Sequence, residues 1–298
     1  MSAPRKGSPL MRWNGLARSV STALLLASTA FAQPKGAVLV IAPSMRDCIF
    51  GAGGTLAAMA AEGRAVHVVV FGNEEKASVH LGPAATRLAN NEEGERAAKL
   101  LGFREVLNLG HKSGEMAYIS SSEMRNQVMA MTRLYKPEIL FFPDWYLHYL
   151  VDNDIYRVGR MAEESPYGGS SLFLQDLTYM GFPGAAARQY YFYSPYRPYR
   201  AREGGEGQAS MKQVDIAPQI DRKIAAILKM KTSNEAHVAG IRARSGRRLT
   251  TEEWVRSFVE EMAEAAGRRS GIKLAEEFNH LGSRGGLPEH VLERARKN

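Results

Sequence analysis

Apolar β-branched runs alternate along this chain with stretches whose apolar residues recur at helical spacing, and few folds accept that alternation. The run from Gly36 to Ala42 is continuous, as in a strand buried on both faces. The run from Val66 to Phe71 repeats it. Between them Leu56, Met59 and Ala60 fall on one side of a helix that ends at Gly63. Further on, the pattern predicts a helix over 83–102, a strand over Glu105–Leu109, a helix over 121–135 and a strand over Glu138–Phe142. A helix follows from about Asp154 to Glu164. Short links between such elements predict an α/β fold: a Rossmann-like, mostly parallel sheet flanked by helices, with right-handed crossovers. Ligands bind such sheets beyond the carboxyl ends of the strands, which places 43–54, 72–80, 110–115 and 143–155 around one mouth.

The second half is less regular. Residues 166–214 are rich in turn formers and hold the run Tyr190 to Tyr193, which reads as an ordinary strand more readily than as a sugar-stacking platform. Two helices are expected to close the chain as C-terminal additions. The first spans about 216–236. The second opens with Thr250 and Glu253 as a capping box and carries Trp254, Phe258 and Met262 on one side. No internal repeat is visible.

Residues 1–32 stand apart. They carry Arg5, Lys6, Arg12 and Arg18 without an acid, then run apolar from Val20 and end Ala30-Phe31-Ala32. That order describes a secretory signal peptide, too short to span a membrane, which takes about 20 apolar residues. The expectation is an exported protein, periplasmic or extracellular, with one domain over 33–298. Loss of the signal removes four cations and halves the formal charge of +8, so no basic stripe is left to call for nucleic acid. The single cysteine, Cys48, excludes an intrachain disulfide framework and a multi-cysteine metal cage. A buried thiol is expected there.

Gly51, Gly53 and Gly54 read as a glycine-rich turn after the first strand and invite a dinucleotide reading. The fingerprint needs a glycine where Leu56 stands and an acid where Phe71 and Gly72 stand, so that reading fails. Instead, Ala42 to Thr55, reading APSMRDCIFGAGGT, resembles the opening motif A-P-H-P-D-D-C/A-E-I-G-A-G-G-T of the PIG-L/LmbE family of metal-dependent de-N-acetylases. The similarity continues through Phe71-Gly-Asn73, the helix from Glu92 to Gly102, Gly114-Glu115 and the strand after Lys136-Pro137. It resumes at Val214-Asp215-Ile216 with Lys223, Ala226 and Ser233, and at Gly271 with Ala275, Glu276 and Phe278. The resemblance implies a zinc site at the carboxyl edge of the sheet and hydrolysis of an N-acetyl group on an amino sugar or similar amide. Such chemistry needs three protein ligands with open zinc positions, a carboxylate base and an oxyanion donor.

The positions that would do this work are the ones that differ. By the resemblance, the ligand His falls on Ser44, the base on Arg46 and the third ligand on Ile155, while the ligand Asp is kept as Asp47. The oxyanion-stabilising His falls on Asp152, and the Asp between them survives as Asp154. The family's helix Arg falls on Asn90, its D-G-E loop reads Ser113-Gly114-Glu115, and a later His falls on Lys231. Isoleucine has no lone pair, and an arginine takes no proton from water at neutral pH. The expectation is therefore no catalytic set and no resident cofactor, with zinc the family's metal. Arg46, Asp47, Asn90, Ser113, His148, Asp152 and Asp154 remain as ligand-contacting residues for an N-acetylated sugar or glycan. Arg46 and Asp47 read as an ion pair at the surface or site mouth. Two further readings stand beside this one: an active amide hydrolase whose rearranged metal site uses Asp47, His148 and Asp152 or Asp154, and an accessory subunit that self-associates or pairs with an active relative. His67 reads as a packing residue, and His80, His111, His237, His280 and His290 lack ligand-like spacing.

Overall fold

Alternate side chains of a strand point to opposite faces, so runs as apolar as Val38–Ala42 need cover on both sides. In the computed structural model, which describes residues 35–145, 152–165, 169–170, 172–195 and 211–282, they have it. Strands β1 (Val38–Ala42), β2 (Val66–Gly72), β3 (Glu105–His111), β4 (Ile139–Pro143) and β5 (Gln189–Tyr193) pair in parallel. Strands β6 (Met211–Asp215) and β7 (Ala275–Leu281) extend the sheet antiparallel, giving the order β3-β2-β1-β4-β5-β7-β6.

Val38, Val40, Val68, Val70, Phe141, Tyr191 and Tyr193 face one core. Helices α1 (Met45–Ala61), α2 (Pro83–Leu101), α6 (Ile220–Lys229) and α8 (Thr251–Gly267) cover it. Leu39, Ile41, Val69, Phe71, Leu140, Phe142 and Phe192 face the other, under α3 (Ser121–Tyr135) and α4 (Asn153–Glu163). The short α5 (Gln175–Tyr179) and α7 (Lys231–Ser245) complete the described α-helices. The chain builds β1, β2 and β3 outward, then returns to β4 on the other side of β1. That reversal opens a crevice at the carboxyl ends of β1 and β4.

Three expectations are corrected and one is borne out. The glycine segment is not a turn, because Gly51–Gly54 lie inside α1. Glycine is needed there for close approach: a Cβ on Gly51 would lie 2.4 Å from Tyr193 Cδ2, and one on Gly54 2.8 Å from Ile216 Cγ2. The single helix over 216–236 is two, α6 and α7, broken at Met230 (ψ 62°). The Asn234 side chain donates to Ile227 O at 2.7 Å, and Glu93 of α2 accepts from the Thr232 N–H and hydroxyl at 2.9 and 3.0 Å. These bonds satisfy backbone groups that the break exposes. The tyrosine run is the expected strand, β5, with Tyr190–Tyr193 buried and Phe141 stacked on Tyr191 at 4.5 Å, so it offers no platform to a sugar. Finally, α8 opens with the expected capping box but is followed by β7, so the last described element is a strand.

A buried ion pair ties these additions to α1. Lys223 of α6 donates to Phe50 O at 2.8 Å and to Glu276 Oε1 at 2.7 Å. Glu276 of β7 accepts from Gly54 N–H and Thr55 N–H, both at 2.8 Å. The carboxylate reaches α1 backbone through the space the glycines leave open.

Candidate functional site

The crevice at the carboxyl edge is a cavity of about 310 Å³. Pro43, Ser44, Arg46 and Asp47 line it from the end of β1 and the start of α1. Glu74, Lys76 and Ala77 line it from the loop after β2, Ser113 and Gly114 from the loop after β3. Asp152 and Asp154 enter from the start of α4, and Ser233 from α7. The loops expected around one mouth therefore meet there, 143–155 through its described part.

Several polar side chains of the mouth hold backbone in place. Ser44 caps α1: its Oγ accepts from Asp47 N–H at 3.0 Å and donates to Asp47 Oδ2 at 2.7 Å. Asp47 is buried in the first turn, where the helix dipole favours a negative charge. Asp152, exposed, caps α4 by accepting from Asp154 N–H (2.9 Å) and Ile155 N–H (3.2 Å). Asp154 reaches across to the 113–116 turn, accepting from Gly114 N–H with one oxygen and from Met116 N–H at 3.1 Å with the other. Burial, opposed by those two N–H groups, holds its carboxyl above the usual range. Ser113 Oγ accepts from Glu74 N–H at 2.9 Å and donates to Asn73 Oδ1 at 3.2 Å.

Arg46 is buried where it lines the mouth beside Asp47. Its guanidinium lies 4.6 Å from the Phe50 ring centroid and 5.5 Å from that of Trp254, and Nε donates to Asn234 Oδ1 at 3.3 Å. Contacts of that kind attract a cation to an aromatic face. The side chain thereby joins α1 to α7 and α8. His237, its ring tilted against that of Trp254 at 4.6 Å, is pushed down to about 4 by burial, with Arg46 and Arg244 adding to the effect.

Asn90 lies behind the mouth rather than in it. It is buried, and its Nδ2 donates to Glu74 O at 2.8 Å, so it supports the 74–77 loop. It lines a second cavity of about 100 Å³ with Met45, Glu74, Asn91 and Asn108. Cys48 is buried as expected, and burial pushes its thiol up. His67 packs on Tyr135 at 4.4 Å, His111 binds Gln127 at 2.8 Å and His280 meets Gln189 at 3.3 Å. His148 and His290 lie outside the described residues, as do residues 1–32.

Sequence reasoning missed Glu74, the mouth's most perturbed acid. Its Oε1 accepts from Met45 N–H at 2.6 Å, and its φ of 57° is one that a side chain seldom adopts. Burial above all pushes its carboxyl up to about 7. The signal was an acid just past the second strand, within a loop already assigned to the mouth.

A catalytic zinc needs three protein donors and an open position. The family ligand positions here present the Ser44 hydroxyl, already bonded to Asp47, the Asp47 carboxylate and the buried alkyl chain of Ile155. Among the described residues no group of three His, Cys, Asp or Glu side chains is arranged to hold a metal ion. That donor set does not fit zinc.

The family model described as PIG-L, GlcNAc-PI de-N-acetylase, matches residues 39–152. Among solved structures, N,N'-diacetylchitobiose deacetylase from Pyrococcus horikoshii is similar, with 22% identity, a TM-score of 0.68 and coverage of 83% of this chain and 84% of that one. GalB, the 4-carboxy-2-hydroxymuconate hydratase of Pseudomonas putida, is 20% identical with a TM-score of 0.62, covering 85% and 99%. A conserved protein of Thermus thermophilus is 22% identical with a TM-score of 0.60, covering 85% and 100%. No curated protein matches the sequence. At these identities the structures speak for the fold. The likeness to the PIG-L model thus covers residues 39–152, which supply most of the wall of the mouth, with Asp154 and Ser233 completing it, and the solved structures share the α/β fold.

Proposed function

We propose that this protein binds an N-acetylated sugar or glycan in the mouth at the carboxyl edge of its sheet and does not hydrolyse it by zinc chemistry. One observation carries the reading. The mouth keeps its place and a volume of about 310 Å³, while the family's ligand positions hold Ser44, Asp47 and Ile155. A pocket of that size suits a small ligand with a few convergent polar groups. Lys76, Ser113, Asp152 and Asp154 supply such groups at its wall. The diacetylchitobiose deacetylase of like fold takes an N-acetylated sugar by its name, which supports the choice of ligand class. The basic and then apolar order of residues 1–32 supports export, and among the described residues no helix is long and apolar enough to cross a membrane.

The accessory-subunit reading has one observation in its favour: Leu172, Tyr179 and Met180 are exposed on a single segment. Titration calorimetry with N-acetylglucosamine and N,N'-diacetylchitobiose tests the choice, alongside an assay for released acetate. Saturable binding without acetate release is expected. Release of acetate in the presence of zinc, abolished in His148→Ala, would establish the rearranged metal site instead. Absence of binding would favour the accessory role.

A further inference from the structure

Glu74 sits between two spaces. It lines the mouth, and it also lines the smaller cavity of about 100 Å³ behind it with Asn90, Asn91 and Asn108. Its backbone is bolted on both sides, the N–H to Ser113 Oγ at 2.9 Å and the carbonyl to Asn90 Nδ2 at 2.8 Å. Those bonds hold a positive φ of 57°, and backbone strain of this kind gathers at ligand sites. Oε1 accepts from Met45 N–H, and among the described residues Oε2 takes no hydrogen bond.

The direction of that one bond matters. A protonated carboxyl has one oxygen that only accepts and one that carries the proton. The Met45 N–H claims Oε1 as the acceptor, so the proton belongs on Oε2. We propose that Glu74 is a ligand-contacting residue of the mouth that works as a neutral acid, its Oε2–H donating to an acceptor oxygen of the sugar, such as the acetamido carbonyl. Binding then takes up a proton wherever free Glu74 is ionised. This inference rests on the sugar-binding reading above and assigns the group that makes the ligand's carbonyl contact.

The surroundings agree. Arg46 and Asp47 face Glu74 from α1, Glu93 and Glu95 from α2, Lys76 from its own loop, and Asp152 and Asp154 from α4 across the mouth. Burial, Asp47 and Glu93 favour the neutral form, opposed by the Met45 N–H and by Arg46, and together they leave the group near half-protonated at neutral pH.

The test is calorimetry with N,N'-diacetylchitobiose on the full mature chain from pH 6 to 8.5. If only the neutral acid binds, affinity at pH 8.5 is roughly 30-fold weaker than at pH 6, in proportion to the competent fraction. Glu74→Gln keeps an acceptor for Met45 N–H and a fixed donor, so it should bind with no dependence on pH over this range. Glu74→Gly relieves the positive φ, so it folds even where Gln is not tolerated, and it should bind weakly at every pH. Carboxyl ¹³C NMR of the free wild type should show a group titrating near pH 7 that is missing from both variants. Sugar binding that is flat with pH in the wild type, or undiminished in Glu74→Gly, overturns this inference alone. Absence of binding by every form at every pH refutes the sugar-binding reading and this inference with it.

Discussion

Replacing Lys223 with Met removes an ammonium while nearly keeping its length and its packing. The lost group donates to Glu276 Oε1 and to Phe50 O, and both partners are buried, with side-chain exposures of 6% and 5% for the ion pair. Glu276 would keep its bonds from Gly54 N–H and Thr55 N–H but lose its countercharge. Stranding one member of a buried pair costs about 3–5 kcal/mol, because desolvation of the remaining charge is no longer offset. For a domain of this size that is a fall in Tm of roughly 10 °C. Adding Glu276→Gln removes the stranded charge and leaves an amide oxygen for one of the two N–H groups. The double variant should therefore be less destabilised than the sum of the single ones by about 1–3 kcal/mol. Urea denaturation followed by tryptophan fluorescence and by circular dichroism, on all four members of the cycle, measures this directly. A cost under about 1 kcal/mol for Lys223→Met, or strict additivity in the cycle, would refute the claim that the pair clamps α1 to the C-terminal elements.

Gly51→Ala should destabilise by about 1–2 kcal/mol, because overpacking against buried Tyr193 outweighs the gain in helix propensity. Gly240→Ala in α7 meets only the flexible end of Arg244 and should stabilise by about 0.5–1 kcal/mol, so thermal melts in which both variants move the same way would contradict the close-approach argument. Stability against pH separates Glu74 from His237. The folded pKa of Glu74 lies above its unfolded value, so its contribution is complete below pH 4.5 and is lost as pH rises towards about 7. That amounts to about 3 kcal/mol at most. His237 is depressed to about 4, so its contribution runs the other way, growing as pH rises from 4 to 6.5. Relative to wild type, Glu74→Gln should flatten the fall in denaturation midpoint up to pH 7, and His237→Phe should steepen it between pH 4.5 and 6.5; tilts of the opposite sign would refute the assignments.

Strand and helix positions were legible wherever one local pattern decided them. The run to Ala42, the run from Val66 and the helix over 121–135 stand where hydrophobic periodicity placed them, because a buried strand and an amphipathic helix carry their own signatures. The glycines of α1 were misread because their reason lies elsewhere in the chain. A missing Cβ does not announce that Tyr193 and Ile216 will approach it. The break at Met230 was hidden similarly, since Asn234 and Glu93 supply the bonds that make it tolerable. At the site, Ser44, Asp47, Ser113, Asp152 and Asp154 converge because each follows a strand end. What these side chains bond was not legible, and it turns several of them into caps and turn clamps. Glu74 escaped notice because its character comes from burial under α1 and α2 and from a positive φ, neither of which a run of two glutamates discloses.

Zinc content is the most direct measurement. Purified protein equilibrated with zinc, dialysed and analysed by mass spectrometry should retain far less than one equivalent, and Ser44→His with Arg46→Asp and Ile155→His should raise that to stoichiometric binding. Stoichiometric zinc in the wild-type chain, released by Asp47→Asn, would contradict the account.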